Sequence, residues 1–270
     1  MDRKPIVAGR FYTNNPQELR SELEQFLRSA KKKPKGPHDR LVMVPHAGYV
    51  FSGETCGKTL AAASLAPTVI LLGPNHTGLG APLAVWSKGC WDFPGGKLNV
   101  EESFATELVE SGAGFVHNEA AHNREHSLEV LVPFLHYINP ATKIIPVCVA
   151  ESSPKSLKRA GEALAEIIER SQEDVTIIVS SDMSHFISSD MAKKLDSIAL
   201  EAVIRMDPEE FYSEIVSNNI SMCGVLPMTL AMYSVRKAGA VRGKLLEYTN
   251  SGKVTGDYES VVAYAGIIIS

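Results

Sequence analysis

Histidine, cysteine and carboxylate side chains recur in this chain just past short apolar runs or at a predicted helix start. They stand in Pro45-His46-Ala47-Gly48-Tyr49, Gly73-Pro74-Asn75-His76, Glu125-His126-Ser127-Leu128-Glu129, Ser181-Asp182-Met183-Ser184-His185 and Met222-Cys223-Gly224. In layered α/β domains ligands gather outside the carboxyl ends of strands, so these segments are expected to converge on one metal-dependent active site. His46 and His76 each lie beside turn-forming Gly, Pro or Asn, where a neutral imidazole can project into a cleft and ligate a metal. The competing reading, a hydrogen-bonded structural histidine, is weakened by their matched contexts. Cys223 precedes Gly224 at the start of a predicted helix. Backbone N–H groups and the helix dipole can depress a thiol pKa there, which makes a thiolate ligand the expectation. Asp182 stands three residues before His185, and a carboxylate so placed could orient an imidazole and raise its basicity, as a general acid/base requires. The plainer alternative is that Ser180-Ser181-Asp182 only caps the next turn.

His126 and Glu129 are three residues apart and would share one face of a helix over 125 to 138, with His122 one turn further back. They read as substrate contacts or as groups supporting the ligands, and equally as a solvated face opposite Leu128, Leu131, Val132 and Leu135. The order Glu-His-x-x-Glu is not that of a metalloprotease helix. Gly53-Glu54-Thr55-Cys56-Gly57-Lys58-Thr59 is one residue short of a phosphate loop, and Gly73, Gly78 and Gly80 do not fit the dinucleotide fingerprint, so neither ATP nor NAD is expected. A G-x-S-x-G elbow is absent as well, which weakens a serine hydrolase reading. Cys56 and Cys148 sit in apolar or small-residue surroundings and read as buried and unreactive, while Cys90 is undecided.

The elements that must position these residues follow from periodicity and punctuation. Asn15-Pro16-Gln17-Glu18 supplies a cap, a first-turn proline and a capping-box acid for a helix to about Ala30, followed by a surface loop from Lys31 to Pro37. Residues 41–44 and 68–72 are apolar runs too short for helices and read as buried strands, and 83–86 is a further strand. A helix is expected over 101–110, and in 125–138 Pro133 must kink the helix or shift its register. Strands over 143–149 and 174–180 flank a helix over 154–170, a crossover unit that predicts parallel pairing. Helices over 189–206, 208–217 with Asp207 as cap, and 224–237 closed by Gly239 precede strands at 244–248 and 261–269. No internal repeat or linker-like shift divides the chain, so one domain over 1–270 is expected.

Composition sets the class. Hydrophobic residues make up 44% and charged residues 21% of 270, which excludes a disordered chain. A net charge of −4 with scattered Lys and Arg, apart from Lys31-Lys32-Lys33, gives no footprint for nucleic acid. No apolar segment reaches the roughly 18 residues of a membrane span, and the cytoplasm is the expected location. The four cysteines form no CxxC pair, against a zinc ribbon or a secreted disulfide framework.

Taken with Ala8-Gly9-Arg10-Phe11-Tyr12, these motifs, in register from near residue 5 to the C-terminus, resemble the Memo family. The resemblance implies a fold similar to that of the class III extradiol dioxygenases: a three-layer α/β/α domain whose central, mixed, largely buried sheet has a metal pocket at its strand ends. It implies His46, His76 and Cys223 as metal ligands and His185 with Asp182 in the acid/base position; Tyr49, Asn75, His126, Glu129 and Ser184, which stand in the same motifs, are the expected substrate contacts. A thiolate replaces the carboxylate of the usual two-histidine, one-carboxylate iron site, so the site is softer, and Fe(II) or copper, with zinc as a further candidate, is the expected cofactor. In animals the resembling proteins are linked to receptor-driven cell motility and to copper- or iron-dependent redox chemistry. In archaea and bacteria they resemble partners of a radical-SAM protein and an AMMECR1-type protein. The expected activity is that of a metal-dependent oxidoreductase. The alternatives are a non-enzymatic module that takes a peptide or small-molecule ligand in the same pocket, and a metal-assisted hydrolase.

Overall fold

The computed structural model describes residues 2–28, 36–171, 173–239 and 242–270. Its strands in chain order are β1 (Leu41–Val44), β2 (Thr68–Pro74), β3 (Leu83–Val85), β4 (Cys90–Phe93), β5 (Gly96–Val100), β6 (Val116–His117), β7 (Lys143–Val149), β8 (Val175–Ser180), β9 (His185–Ile187), β10 (Gly243–Asn250) and β11 (Val261–Ile269). The α-helices are α1 (Pro16–Arg28), α2 (Tyr49–Ala62), α3 (Glu102–Glu110), α4 (Val132–Ile138), α5 (Pro154–Arg170), α6 (Ser189–Ile204), α7 (Pro208–Ser217), α8 (Val225–Lys237) and α9 (Gly252–Thr255).

The sheet runs β10-β11-β1-β8-β2-β7-β3-β6, with the β4–β5 hairpin joined to β7 through β5 and β9 joined to β11. Its centre, β1-β8-β2-β7, is parallel; β11 runs antiparallel to both β1 and β10, and β3 is antiparallel to β7 and parallel to β6. Parallel strands with both faces covered read as unbroken apolar runs, and β1 and β2 are buried at every position. Helix α2, backed by α1 and α4, packs against β1, β10 and β11, while α8 and α5 with α6 and α7 cover the other face. This is the expected three-layer, mixed α/β architecture, and one hydrophobic core extends from Val7 to Ile269. Among the described residues no helix is long and apolar enough to cross a membrane.

Three local expectations are corrected. β7 and β8 are parallel but not neighbours, because both pair with β2, which lies between them. No continuous helix spans 125–138: residues 129–131 form a single 3₁₀ turn and α4 starts only at Val132, with Pro133 in its first turn, where its missing N–H costs nothing. The expected capping box at Asn15 is half formed. The Asn15 side chain accepts from Gln17 N–H and Glu18 N–H, but the Glu18 carboxylate takes the Thr13 hydroxyl and not the cap's own N–H. Most of the predicted loop from Lys31 to Pro37, and the predicted helix end at Ala30, lie outside the described residues.

Candidate metal centre

The strand order explains why residues distant in sequence meet. β1, β8 and β2 are adjacent and parallel, so the segments leaving their carboxyl ends carry His46, Asp182 and His76 to one edge of the sheet. The rings of His46 and His76 are 5.2 Å apart between centroids. Cys223, in the turn before α8, brings its sulfur to 3.4 Å from His46 Nε2. Ligand atoms of His46, His76 and Cys223 all lie within 4.8 Å of one another. Gly224 permits this approach: its N–H donates to Ser181 Oγ at 3.0 Å, and a Cβ there would run into the Ser181 side chain.

Hydrogen bonds fix which face each imidazole presents. The Ser180 hydroxyl donates to Ser127 O at 2.5 Å, so toward His46 Nδ1, 2.8 Å away, it can only accept. His46 therefore carries its proton on Nδ1 and turns the Nε2 lone pair toward Cys223. Glu125 Oε1 accepts from His76 Nδ1 at 2.9 Å, which leaves His76 Nε2 free in the same way. An acceptor on the far nitrogen is the arrangement that orients metal-binding histidines. The Asp182 carboxylate accepts the His46 backbone N–H at 2.9 Å, and the Asp182 N–H donates to Cys223 Sγ at 3.2 Å.

The charge states follow from burial and these partners. Burial, reinforced by the neighbouring His126 and His76, holds His46 well below the usual histidine range, so the ring is neutral at pH 7. Burial also pulls His76 down, but the Glu125 hydrogen bond and charge outweigh it and leave His76 raised. Glu125 resists its burial through the same contact and is held down to about 2. Burial raises Asp182 to about 6 against the pull of the His46 and Ala47 N–H groups and of His185. The Cys223 thiol is pushed up by burial and then by the Asp182 charge, which corrects the expectation that its place before a helix lowers it. A coordinated ion would remove that proton, as thiols lose theirs on coordination.

Glu125, His76 and His126 form a second close donor group. Glu125 is already committed to N–H donors, however, accepting from the backbones of His76, His126 and Ser127 at 2.5 to 2.9 Å. Its geometry is that of a brace for the His76 ring. His126 stacks on His76 at 4.9 Å and packs on Phe11 at 4.6 Å.

Several expected site residues point elsewhere. Tyr49 is buried and donates its hydroxyl to Val130 O at 2.7 Å. Asn75 organises its own loop, accepting from Thr77 and Gly78 and donating to Leu79 O. Glu129, 1% exposed, pairs with Arg3 at 2.8 Å and also accepts from Ile6 N–H, Val7 N–H and the Tyr12 hydroxyl. Because α4 starts at Val132, Glu129 shares no helix face with His126. Ser184 donates to buried Asp196 at 2.6 Å. His122 is buried against Trp86 and Trp91. His185 does reach the site, but its Nδ1 is oriented by Ser221 O at 2.9 Å and not by Asp182, whose carboxylate faces the His46 backbone.

His46, His76, His126, Asp182 and His185 line a pocket of about 480 Å³, whose remaining wall includes Phe11, Phe51, Phe186 and Tyr264. Sequence reasoning missed Ser180 and Glu125 as braces, Ser221 as the His185 anchor, and the aromatic wall. Ser180, Glu125 and Phe11 lie inside the motifs already singled out, so position alone could have raised them; Ser221 and Phe51 carried no signal.

The Memo family model, described as Memo-like protein, matches residues 3–268. Similar curated proteins include a MEMO1 family protein of Aquifex aeolicus, 39% identical with 98% of both chains covered, and one of Methanopyrus kandleri, 37% identical with 99% of both covered. Among solved structures, an uncharacterized protein of Escherichia coli K12 matches with a TM-score of 0.52 at 12% identity, covering 84% of this chain and 99% of that one. That likeness is one of fold.

Proposed function

The chain belongs to the Memo family, and from that premise we propose that it is a metal-dependent oxidoreductase whose ion is held by His46, His76 and Cys223. One observation carries this reading. Two imidazoles have their Nδ1 atoms turned to acceptors, which leaves Nε2 of each for an ion, and one ligand atom of each lies within 4.8 Å of a single sulfur. Two nitrogens and a thiolate suit copper, iron or zinc, and the soft sulfur favours copper or ferrous iron over magnesium or calcium. A redox-active ion held there supplies one-electron chemistry and Lewis acidity.

The protein's own groups account for the rest. Ser180 and Glu125 hold the two rings in register, and Asp182 fixes the backbone at His46. His185, anchored through Nδ1 on Ser221 O, presents Nε2 to the pocket as the group that takes or gives a proton on a small-molecule substrate. Phe11, Phe51, Phe186 and Tyr264 give part of the wall an apolar surface.

The test is metal analysis of protein purified without chelator, alongside His46→Ala and Cys223→Ser variants. Wild-type protein should hold about one copper or iron per chain and His46→Ala little, while Cys223→Ser should shift the preference away from copper. Equal metal content and preference in all three would remove these residues as ligands.

A further inference from the structure

Phe186 occupies a position that the backbone makes at a cost. On β9, His185 pairs with Val262 and Ile187 with Val261. Two steps along β9 thus face one step along β11, and Phe186 is the extra residue of a β-bulge. Its φ is +59°, a left-handed conformation that a bulky side chain avoids. Bulges beside active sites re-aim a side chain, and here the flanks are pinned. His185 N–H donates to Ser221 Oγ at 2.8 Å, and Ser184 is tied to buried Asp196. The ring that results is 76% exposed and lines the pocket beside His185.

We propose that Phe186 is the specificity-determining wall of this pocket, against which the uncharged planar ring of a small-molecule substrate stacks. The inference rests on the proposed function only for the identity of the pocket as the substrate site. Phe11, Phe51 and Tyr264 complete an aromatic enclosure of a size that suits a small molecule. No Lys or Arg is among the lining residues, so on the aromatic side, away from the His46 and His76 cluster, an anionic group finds no fixed counter-ion; Arg10 acts on His126 from outside that lining. The Asp182 carboxylate is turned to the backbone N–H groups of His46 and Ala47, which leaves a cationic group poorly served. A neutral flat ring fits all three observations, and burying Phe186 against it removes exposed apolar surface.

Anisole and methoxycyclohexane are suitable probes: they match in size, differ in planarity, and neither is a strong metal ligand. Binding is read by ligand-observed NMR on the full chain, with metal content measured on the same samples. Anisole should bind about tenfold more tightly than methoxycyclohexane. Phe186→Gly should reduce anisole affinity about tenfold with no fall in melting temperature, since glycine accepts the positive φ, and Phe186→Trp should retain the preference. No preference for anisole, no binding of either probe, or equal anisole affinity in wild type and Phe186→Gly would overturn the proposal. The two readings fail separately. Wild-type protein that lacks metal yet prefers anisole sinks the metal centre alone, and metal-replete protein without the preference sinks this inference alone.

Discussion

Ser180 Oγ lies 2.8 Å from His46 Nδ1 while giving its own proton to the Ser127 carbonyl. This one hydroxyl therefore decides the tautomer of a ring far from it in sequence. Ser180→Ala removes the acceptor and leaves the ring free to place its proton on Nε2, where an ion would bind. Metal affinity should fall about 10- to 100-fold, measured by chelator competition. Unchanged affinity would mean that burial alone sets the ring.

Glu125 makes the acid side of the stability profile steep in protein stripped of metal. Its folded pKa, about 2, lies below the ordinary 4.5. Its contribution is therefore complete above about pH 4.5 and disappears as pH falls toward 2, on the order of 3 kcal/mol in total. His46, kept neutral by burial, acts in the same direction, since protonation below its ordinary value of 6.5 favours the unfolded chain. Glu125→Gln should be less stable at neutral pH and show a flatter profile toward acid, followed by urea midpoints at successive pH values. Parallel profiles for the two proteins would contradict this.

Glu129 is a fold residue. It sits 1% exposed against Arg3, which also lies 4.3 Å over the Trp91 ring. Glu129→Ala strands a buried guanidinium and should cost about 3 to 5 kcal/mol in denaturant unfolding. Metal bound per folded molecule should stay the same. Lost metal with full stability would restore a role in the site.

In the proposed reaction His185 is the group that handles protons. Among the described residues its Nδ1 partner is Ser221 O. Once a turnover assay exists, His185→Gln should lower kcat about 10²- to 10⁴-fold with metal content unchanged. Removal of metal by this substitution would instead make His185 a ligand.

The reach of the sequence can be judged residue by residue. The runs at 41–44, 68–72 and 143–149 announced a buried parallel sheet because strands covered on both faces need apolar side chains at every position. The residues following two of those runs marked the candidate site, because strand ends are where a sheet leaves backbone free to shape a pocket. The short strands β4, β5, β6 and β9 were not legible, since each includes a polar residue and lacks the unbroken apolar run that made the similarly short β1 readable. Glu129 and Tyr49 were misplaced for one reason: side-chain direction depends on where a helix starts, and α4 starts at Val132 while Tyr49 opens α2 facing the core.

Residue type and order thus determined by themselves the layered α/β class, the family, and the imidazoles and thiol that could serve one ion. Tertiary structure decided which nitrogen each imidazole offers, that Glu125 braces His76 while Glu129 holds Arg3, and that Phe186 stands out on a bulge. The physical reason is that periodicity and turn chemistry are local and are written in neighbouring residues. A proton's position on a ring, or a strained φ, is set instead by partners such as Ser180 and Val262, which only the closed sheet brings within reach.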